Sequence, residues 1–163
     1  MVAKNQFGQI VGMPVKNWQG AKRPLKLIMQ GKYCTLEPLN DQKHSNELFN
    51  ILTSEESWTY LPYGPFSTIG QFQNHLQKLI SRDNTLLYAI LDPKTGQAIG
   101  IAGYLNINSE HGTIEVGHLH FSKLLKKTRA ATEAMYLMMQ RAFEELIYRR
   151  YEWKCNFTQP KLN

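Results

Sequence analysis

The sequence has few cysteines and no long apolar run. Its two cysteines, Cys34 and Cys155, are far apart and form no CxxC pair. Two isolated cysteines argue against a zinc site, and a disulfide between them is disfavoured in a reducing compartment. Both are read as small core residues. No apolar stretch approaches the roughly 20 residues that span a bilayer. The opening residues, Met1 to Gln6, lack the apolar core of a signal peptide. A cytoplasmic protein with no membrane partner is expected. Internal repeats, linkers and low-complexity segments are also missing, so the chain reads as one domain, 1–163.

Acidic residues are in the minority, 13 against 19 Lys and Arg, for a net charge of +6. The excess favours an acidic partner: nucleic acid, an acidic protein surface or a polyphosphate ligand. It is concentrated, because Lys123, Lys126, Lys127 and Arg129 fall within seven positions and Arg149-Arg150 follows. A solvated basic face would explain such a loop by itself. Its place in the chain argues for a site, because a helix is expected directly after it. A helix N-terminus carries unpaired N–H groups and roughly half a positive charge. Strand, basic turn and helix start together outline a phosphate cradle.

Periodicity supplies the elements. Residues 1–31 are punctuated by Gly8, Gly12, Pro14, Gly20, Pro24 and Gly31 and read as an extended, irregular arm, pinned by Trp18 and Leu25. Residues 32–39 alternate as a strand ended by Pro38. Asn40 or Asp41 caps a helix to about Leu52, and Ser67 or Thr68 caps a second to about Arg82. Strands follow at 86–91, 98–107 and 115–121, joined by Pro- and Gly-containing turns as an antiparallel meander. Gly100 and Gly103 mark a bulge or a close backbone approach. A long helix, 130–146, keeps Ala131, Ala134, Met135, Met138, Ala142 and Leu146 on one face. A last strand, 150–155, is expected parallel to 115–121 because a helix crosses between them.

That order of elements resembles the GCN5-related N-acetyltransferase (GNAT) fold, an α/β (α+β) architecture with a mixed, mostly antiparallel sheet flanked by helices. Specific stretches carry the resemblance further. Residues 31–39, Ile114-Glu115-Val116-Gly117, Thr128-Arg129-Ala130-Ala131-Thr132-Glu133-Ala134, Tyr148-Arg149-Arg150 and Tyr151-Glu152-Trp153-Lys154-Cys155-Asn156 are similar to the branch that includes ribosomal-protein N-terminal acetyltransferases. Gly8-Gln9 and Gly12 in the arm fit the same branch.

The resemblance implies acetyl-CoA as cosubstrate, held where the fourth and fifth strands splay apart. Pantetheine would pair with the main chain of Leu119, His120 and Phe121. The family's Gln/Arg-x-x-Gly-x-Gly/Ala turn, whose amides hold pyrophosphate, falls on Lys126, Lys127, Thr128, Arg129, Ala130 and Ala131. Arg129 stands where the family has Gly. Its side chain either obstructs the approach of the backbone to phosphate or swings out and pairs with it.

The implied chemistry is attack of an amine on the thioester, with a carboxylate taking the proton directly or through water. Glu115 is the candidate, against a reading in which it pairs with Arg or His and merely orders the sheet. His118 and His120 are placed on its face by the period of two and include a candidate proton relay. Metal binding by these three residues is a weaker option, because nothing fixes their surroundings. No metal is expected.

Family members continue past the fifth strand with an Asn and Ser loop, a fourth helix and a closing hairpin. Here Gln159 stands about where that Asn belongs, and no Ser follows. The C-terminal segment is therefore expected to be absent and the last strand to be an open edge, paired with a second copy or another polypeptide. Three functions follow. The first is an N-acetyltransferase acting on an amine, a protein N-terminus among the candidates. The second is a truncated, non-catalytic binding or oligomerisation module. The third is a basic nucleic-acid-binding domain in which Tyr60, Tyr63 and Phe66 stack on bases. It ranks last, since no nucleic-acid motif is present.

Overall fold

The structure, a computed structural model, describes residues 3–155. The expectations for Met1, Asn156 and Gln159 lie outside that range. The arm is more ordered than its glycines suggest. Strands β1 (Ala3–Lys4) and β2 (Ile10–Val11) form a small antiparallel hairpin. β3 (Met29–Gln30) joins the main sheet beside β4 (Thr35–Pro38). Trp18 does pin the arm: its Nε1 donates to the carbonyl of Glu110 at 2.6 Å. The Leu25 side chain does not. It is 66% exposed, and only its carbonyl is anchored, by Arg141.

Helix α1 (Asp41–Ile51) and helix α2 (Ile69–Ile80) follow. Asn40 and Thr68 are their caps, accepting from the N–H groups of Lys43 and Gln71. β5 (Leu86–Leu91), β6 (Ala98–Asn108) and β7 (Thr113–Phe121) form the expected meander. Helix α3 (Arg129–Gln140) then crosses to β8 (Arg150–Trp153), which pairs parallel with β7 from Thr113↔Arg150 to Val116↔Trp153. The sheet order is β3-β4-β5-β6-β7-β8.

Helices cover both sheet faces. On one, Leu48, Leu52, Phe72, Leu76 and Leu79 of α1 and α2 pack on Leu87, Ala89, Leu91 and Ile101. On the other, Ala134, Met138, Ala142 and Leu146 pack on Leu36, Tyr88, Ile90, Tyr104, Ile114 and Val116. Every residue of β5 is buried, which is why its sequence is apolar without alternation. Each large aliphatic side chain in these layers contributes about 1.5–3 kcal/mol.

Two expectations about packing are corrected. Cys34 is buried, but Cys155 is exposed. The long helix does not run unbroken to Leu146: α3 ends at Gln140 and continues as a π turn, Arg141–Glu145, with Leu146 N–H donating to Arg141 O. The widened turn surrounds a buried guanidinium. Arg141 is 3% exposed, donates to the Tyr88 hydroxyl and the Leu25 carbonyl, and lies 3.4 Å from Glu145. A charge there needs all three partners.

Candidate active site

The middle of β7 is irregular. Between the pairs Ile101↔His120 and Gly103↔Gly117, β6 advances two residues while β7 advances three. The extra residue is a β-bulge, and His118 there takes φ 50°. Glu115, His118 and His120 do share a face, as expected, but the bulge and not a period of two is the reason. Strict alternation places position 115 opposite positions 118 and 120. Here Ile114 and Val116 face the α3 side, and Glu115 faces the α1 and α2 side. The bulge then turns His118 and His120 onto that same side, against the connection between α1 and α2.

That connection carries a short 3-10 helix, Glu55–Trp58, and grips both histidines. The Tyr63 hydroxyl lies 2.7 Å from His118 Nδ1, and Ser57 Oγ lies 2.8 Å from His120 Nε2. Trp58 stands edge-on to His120 with ring centroids 4.2 Å apart. Burial, with smaller contributions from Arg82 and His75, pushes His118 down to about 4. Burial and then Lys126 do the same to His120, also to about 4. Both imidazoles are therefore neutral at pH 7, and both are committed to hydroxyl partners. Among the described residues no group of three His, Cys, Asp or Glu side chains could hold a metal ion.

Glu115 is 6% exposed. Its Oε2 accepts from Asn106 Nδ2 at 2.7 Å and from Lys154 Nζ at 2.6 Å. Its Oε1 has no polar partner among the described residues and faces Gly117. The cation that pairs with it is thus a lysine from just past β8, rather than an arginine or histidine.

From Gly117 onward β7 has no β8 partner among the described residues, so the two strands part at the bulge. Ser122 N–H donates to Ile99 O across the pair Gly100↔Phe121. In an antiparallel ladder this turns the polar main-chain groups of Phe121 away from β6 and into the opening. Leu119 and Phe121 pack their side chains on the α3-side core, while His120 points to Ser57.

The turn after β7 leads into α3. Thr128 is the cap: its hydroxyl accepts from Ala131 N–H at 3.2 Å and donates to Leu125 O at 2.7 Å. The N–H groups of Arg129 and Ala130 have no acceptor among the described residues. Lys127 takes φ 60°. The Arg129 guanidinium sits over the Tyr33 ring, 5.7 Å from its centroid, so it does not block these N–H groups. Lys123, Lys126 and Lys127 are exposed and pair with no carboxylate among the described residues.

Glu133, one turn into α3, fixes the helix start against the β3–β4 turn. It accepts from the N–H groups of Lys32, Tyr33 and Cys34. Partial burial pushes its carboxyl up, but these donors prevail and hold it below the ordinary value. Sequence reasoning gave no role to Glu133, Ser57, Asn106 or Lys154. For Tyr63 the sequence suggested only a base-stacking aromatic, whereas the structure puts its hydroxyl on His118.

A cleft of about 300 Å³ lies between the end of α1 and the turn after β7. Thr53, Ser54 and Ser57 line one side and Phe121, Ser122, Lys123 and Lys126 the other.

A family model for the acetyltransferase (GNAT) domain matches residues 34–161. A GCN5-related N-acetyltransferase from Brucella melitensis is 36% identical over 89% of this chain and 67% of that one, with a TM-score of 0.85. A probable acetyltransferase of the GNAT family from Chromobacterium violaceum is 35% identical over 90% of this chain and 74% of that one, TM-score 0.84. The ribosomal L7/L12 alpha-N-protein acetyltransferase RimL shares the fold alone, at 14% identity and TM-score 0.68 over 82% of this chain and 74% of that one. No curated protein matches the sequence.

Proposed function

Because the chain belongs to the GNAT acetyltransferase family, we propose that it transfers the acetyl group of acetyl-CoA to an amine, in the cytoplasm. One observation carries this reading. The opening between β7 and β8 begins at the bulge, beside Glu115, and the same strand leads to the free N–H groups at the start of α3. A thioester on a long arm with a pyrophosphate at its other end suits that arrangement. Pantetheine would pair with the outward main-chain groups around Phe121, with Leu119 and His120 flanking. The pyrophosphate would sit on the amides of Arg129 and Ala130, inside the 126–131 turn, with Lys126 and Lys127 adding charge. Thr128 and Ala131 hold the helix start in place through their own hydrogen bond.

In the transfer, the amine nitrogen bonds to the carbonyl carbon, the carbon–sulfur bond breaks, and CoA leaves as thiolate. The amine proton goes to Glu115 Oε1, directly or through one water. Asn106 and Lys154 occupy the other oxygen and hold the carboxylate in place. The acceptor we favour is a protein N-terminus, on the resemblance to ribosomal-protein N-terminal acetyltransferases.

One observation favours a second reading. The close Glu115–Lys154 pair is what a non-catalytic, structural carboxylate would also make. That reading is a binding or oligomerisation module. In either case β8 is the edge of the sheet among the described residues, and we propose that a second copy pairs along it. The test is calorimetric titration of acetyl-CoA, followed by thiol release in the presence of peptide amines. Saturable binding lost in Lys126→Ala/Lys127→Ala, with thiol release lost in Glu115→Gln, supports the enzyme. Binding without thiol release supports the module.

A further inference from the structure

The cleft between α1 and the turn after β7 holds two groups, Ser122 and Lys123, that the proposed acetyl transfer does not use. Ser122 lines it, is 2% exposed, and its Oγ has no hydrogen-bond partner among the described residues. A buried hydroxyl without a partner is uncommon, because it forfeits its hydration for nothing. Beside it stand Lys123 and Lys126, neither paired with a carboxylate among the described residues. Ser54 supplies a hydroxyl from the opposite wall, whereas the Ser57 hydroxyl is already engaged with the Ser54 carbonyl and His120 Nε2. Glu55 and Glu56, although adjacent in sequence, do not line the cleft. The nearby end of α1 is partly neutralised, since Trp58 Nε1 donates to Leu52 O at 3.2 Å. The Ser122 and Ser54 hydroxyls and the Lys123 ammonium, with Lys126 reaching in from the proposed pyrophosphate turn, select an anionic oxygen.

The cleft also shares a wall with the candidate active site. Ser57, which lines it, is the residue bonded to His120. Glu115, His118 and His120 all face this side of the sheet, whereas α3 packs on the other. An amine that gives its proton to Glu115 must arrive from this side. We propose that the cleft holds a carboxylate of the acceptor, an acidic side chain on a peptide whose free N-terminus receives the acetyl group. This deepens the acetyltransferase reading and rests on it. From the bulge at His118 to Ser122 is about 13 Å of strand. An extended peptide covers that distance in about four residues, so the acidic residue belongs near the fourth position.

The same anionic chemistry could come from the phosphates of acetyl-CoA, and the experiment separates the two sources. Two hexapeptides with free N-termini are compared, identical except for Glu or Gln at the fourth residue. The full chain is expected to prefer the Glu peptide by about tenfold in kcat/KM. Ser122→Ala and Lys123→Gln should collapse that preference by raising KM for the Glu peptide, with KM for acetyl-CoA unmoved. Equal use of the two peptides by the unaltered chain overturns the proposal. So does a rise in KM for acetyl-CoA in either variant, which would assign the cleft to the cosubstrate. If neither peptide is acetylated, the transferase reading fails, and calorimetric binding of the same peptides still decides about the cleft. Tighter binding of the Glu peptide, lost in Lys123→Gln, supports it. Equal affinities overturn it.

Discussion

Lys154 reaches back from the end of β8 to Glu115 on β7, placing Nζ 2.6 Å from Oε2 across 39 positions of sequence. The pair ties the two strands together next to the point where they part. It leaves Oε1 as the oxygen available to a substrate proton.

Glu115→Gln should separate the catalytic role of this carboxylate from a structural one. Glutamine still accepts from Asn106 and Lys154, so the thermal midpoint should move little. Acetyl transfer should fall at least about 100-fold if the carboxylate is the base. A fall in the midpoint with kcat retained would make it structural. Thermal melts and initial rates on the same preparation decide.

Glu133→Ala should destabilise the protein by about 2–4 kcal/mol, because three backbone donors lose a charged acceptor. The loss should depend on pH. The folded-state value of Glu133 is depressed below its ordinary 4.5, so its contribution is present above that value and fades as pH falls through the folded value. Urea midpoints of the two proteins should therefore converge in acid.

Histidine linkage acts in a different window. His118 and His120 are held at about 4, against an ordinary 6.5. Between those values the unfolded chain binds more protons than the folded one. Stability from the neutral imidazoles is thus present above 6.5 and lost as pH falls towards 4. Burial shifts His44 and His75 in the same direction. The urea midpoint should drop across this range, before Glu133 titrates, and His120→Gln should make the slope shallower.

Thiol chemistry should distinguish the two cysteines. Burial, then the charge of Glu133, pushes the Cys34 thiol up to about 12, and the residue is fully buried. Cys155 is exposed. Iodoacetamide at pH 8 should modify Cys155 alone in the folded protein and reach Cys34 only after denaturation. Intact-mass and peptide-mass measurements check this.

Arg141→Met should cost about 3 kcal/mol, since it strands the buried Tyr88 hydroxyl and leaves the Leu25 carbonyl with the Leu27 N–H alone. Chemical denaturation measures it. A variant as stable as the parent would mean that the guanidinium does not sustain the π turn.

The order of strands and helices was legible because its signals are local. Asn40 and Thr68 cap α1 and α2 as polar residues before an apolar period should, and β5 is a continuous apolar run because both its faces are covered. The basic turn before α3 was visible for the same reason: charge and a helix start lie within a few residues of each other. The family resemblance rested on such stretches. The end of the long helix was misread because the cause of the π turn, the burial of Arg141 against Tyr88, lies 53 positions away. Leu25 was misread as a side-chain anchor because only its carbonyl is used.

The sequence by itself determined the class of fold, the parallel pairing of β7 with β8, and the basic turn before α3, since each follows from short-range pattern and chain connectivity. Tertiary structure alone decided the surroundings of the candidate site. The shared face of Glu115, His118 and His120 was expected from a period of two, but it is the bulge at His118, reversing the alternation of the strand, that creates it. The partners Tyr63 and Ser57 arrived from 55 and 63 positions away. Contacts of that kind depend on where the sheet places a loop, and no local period encodes them.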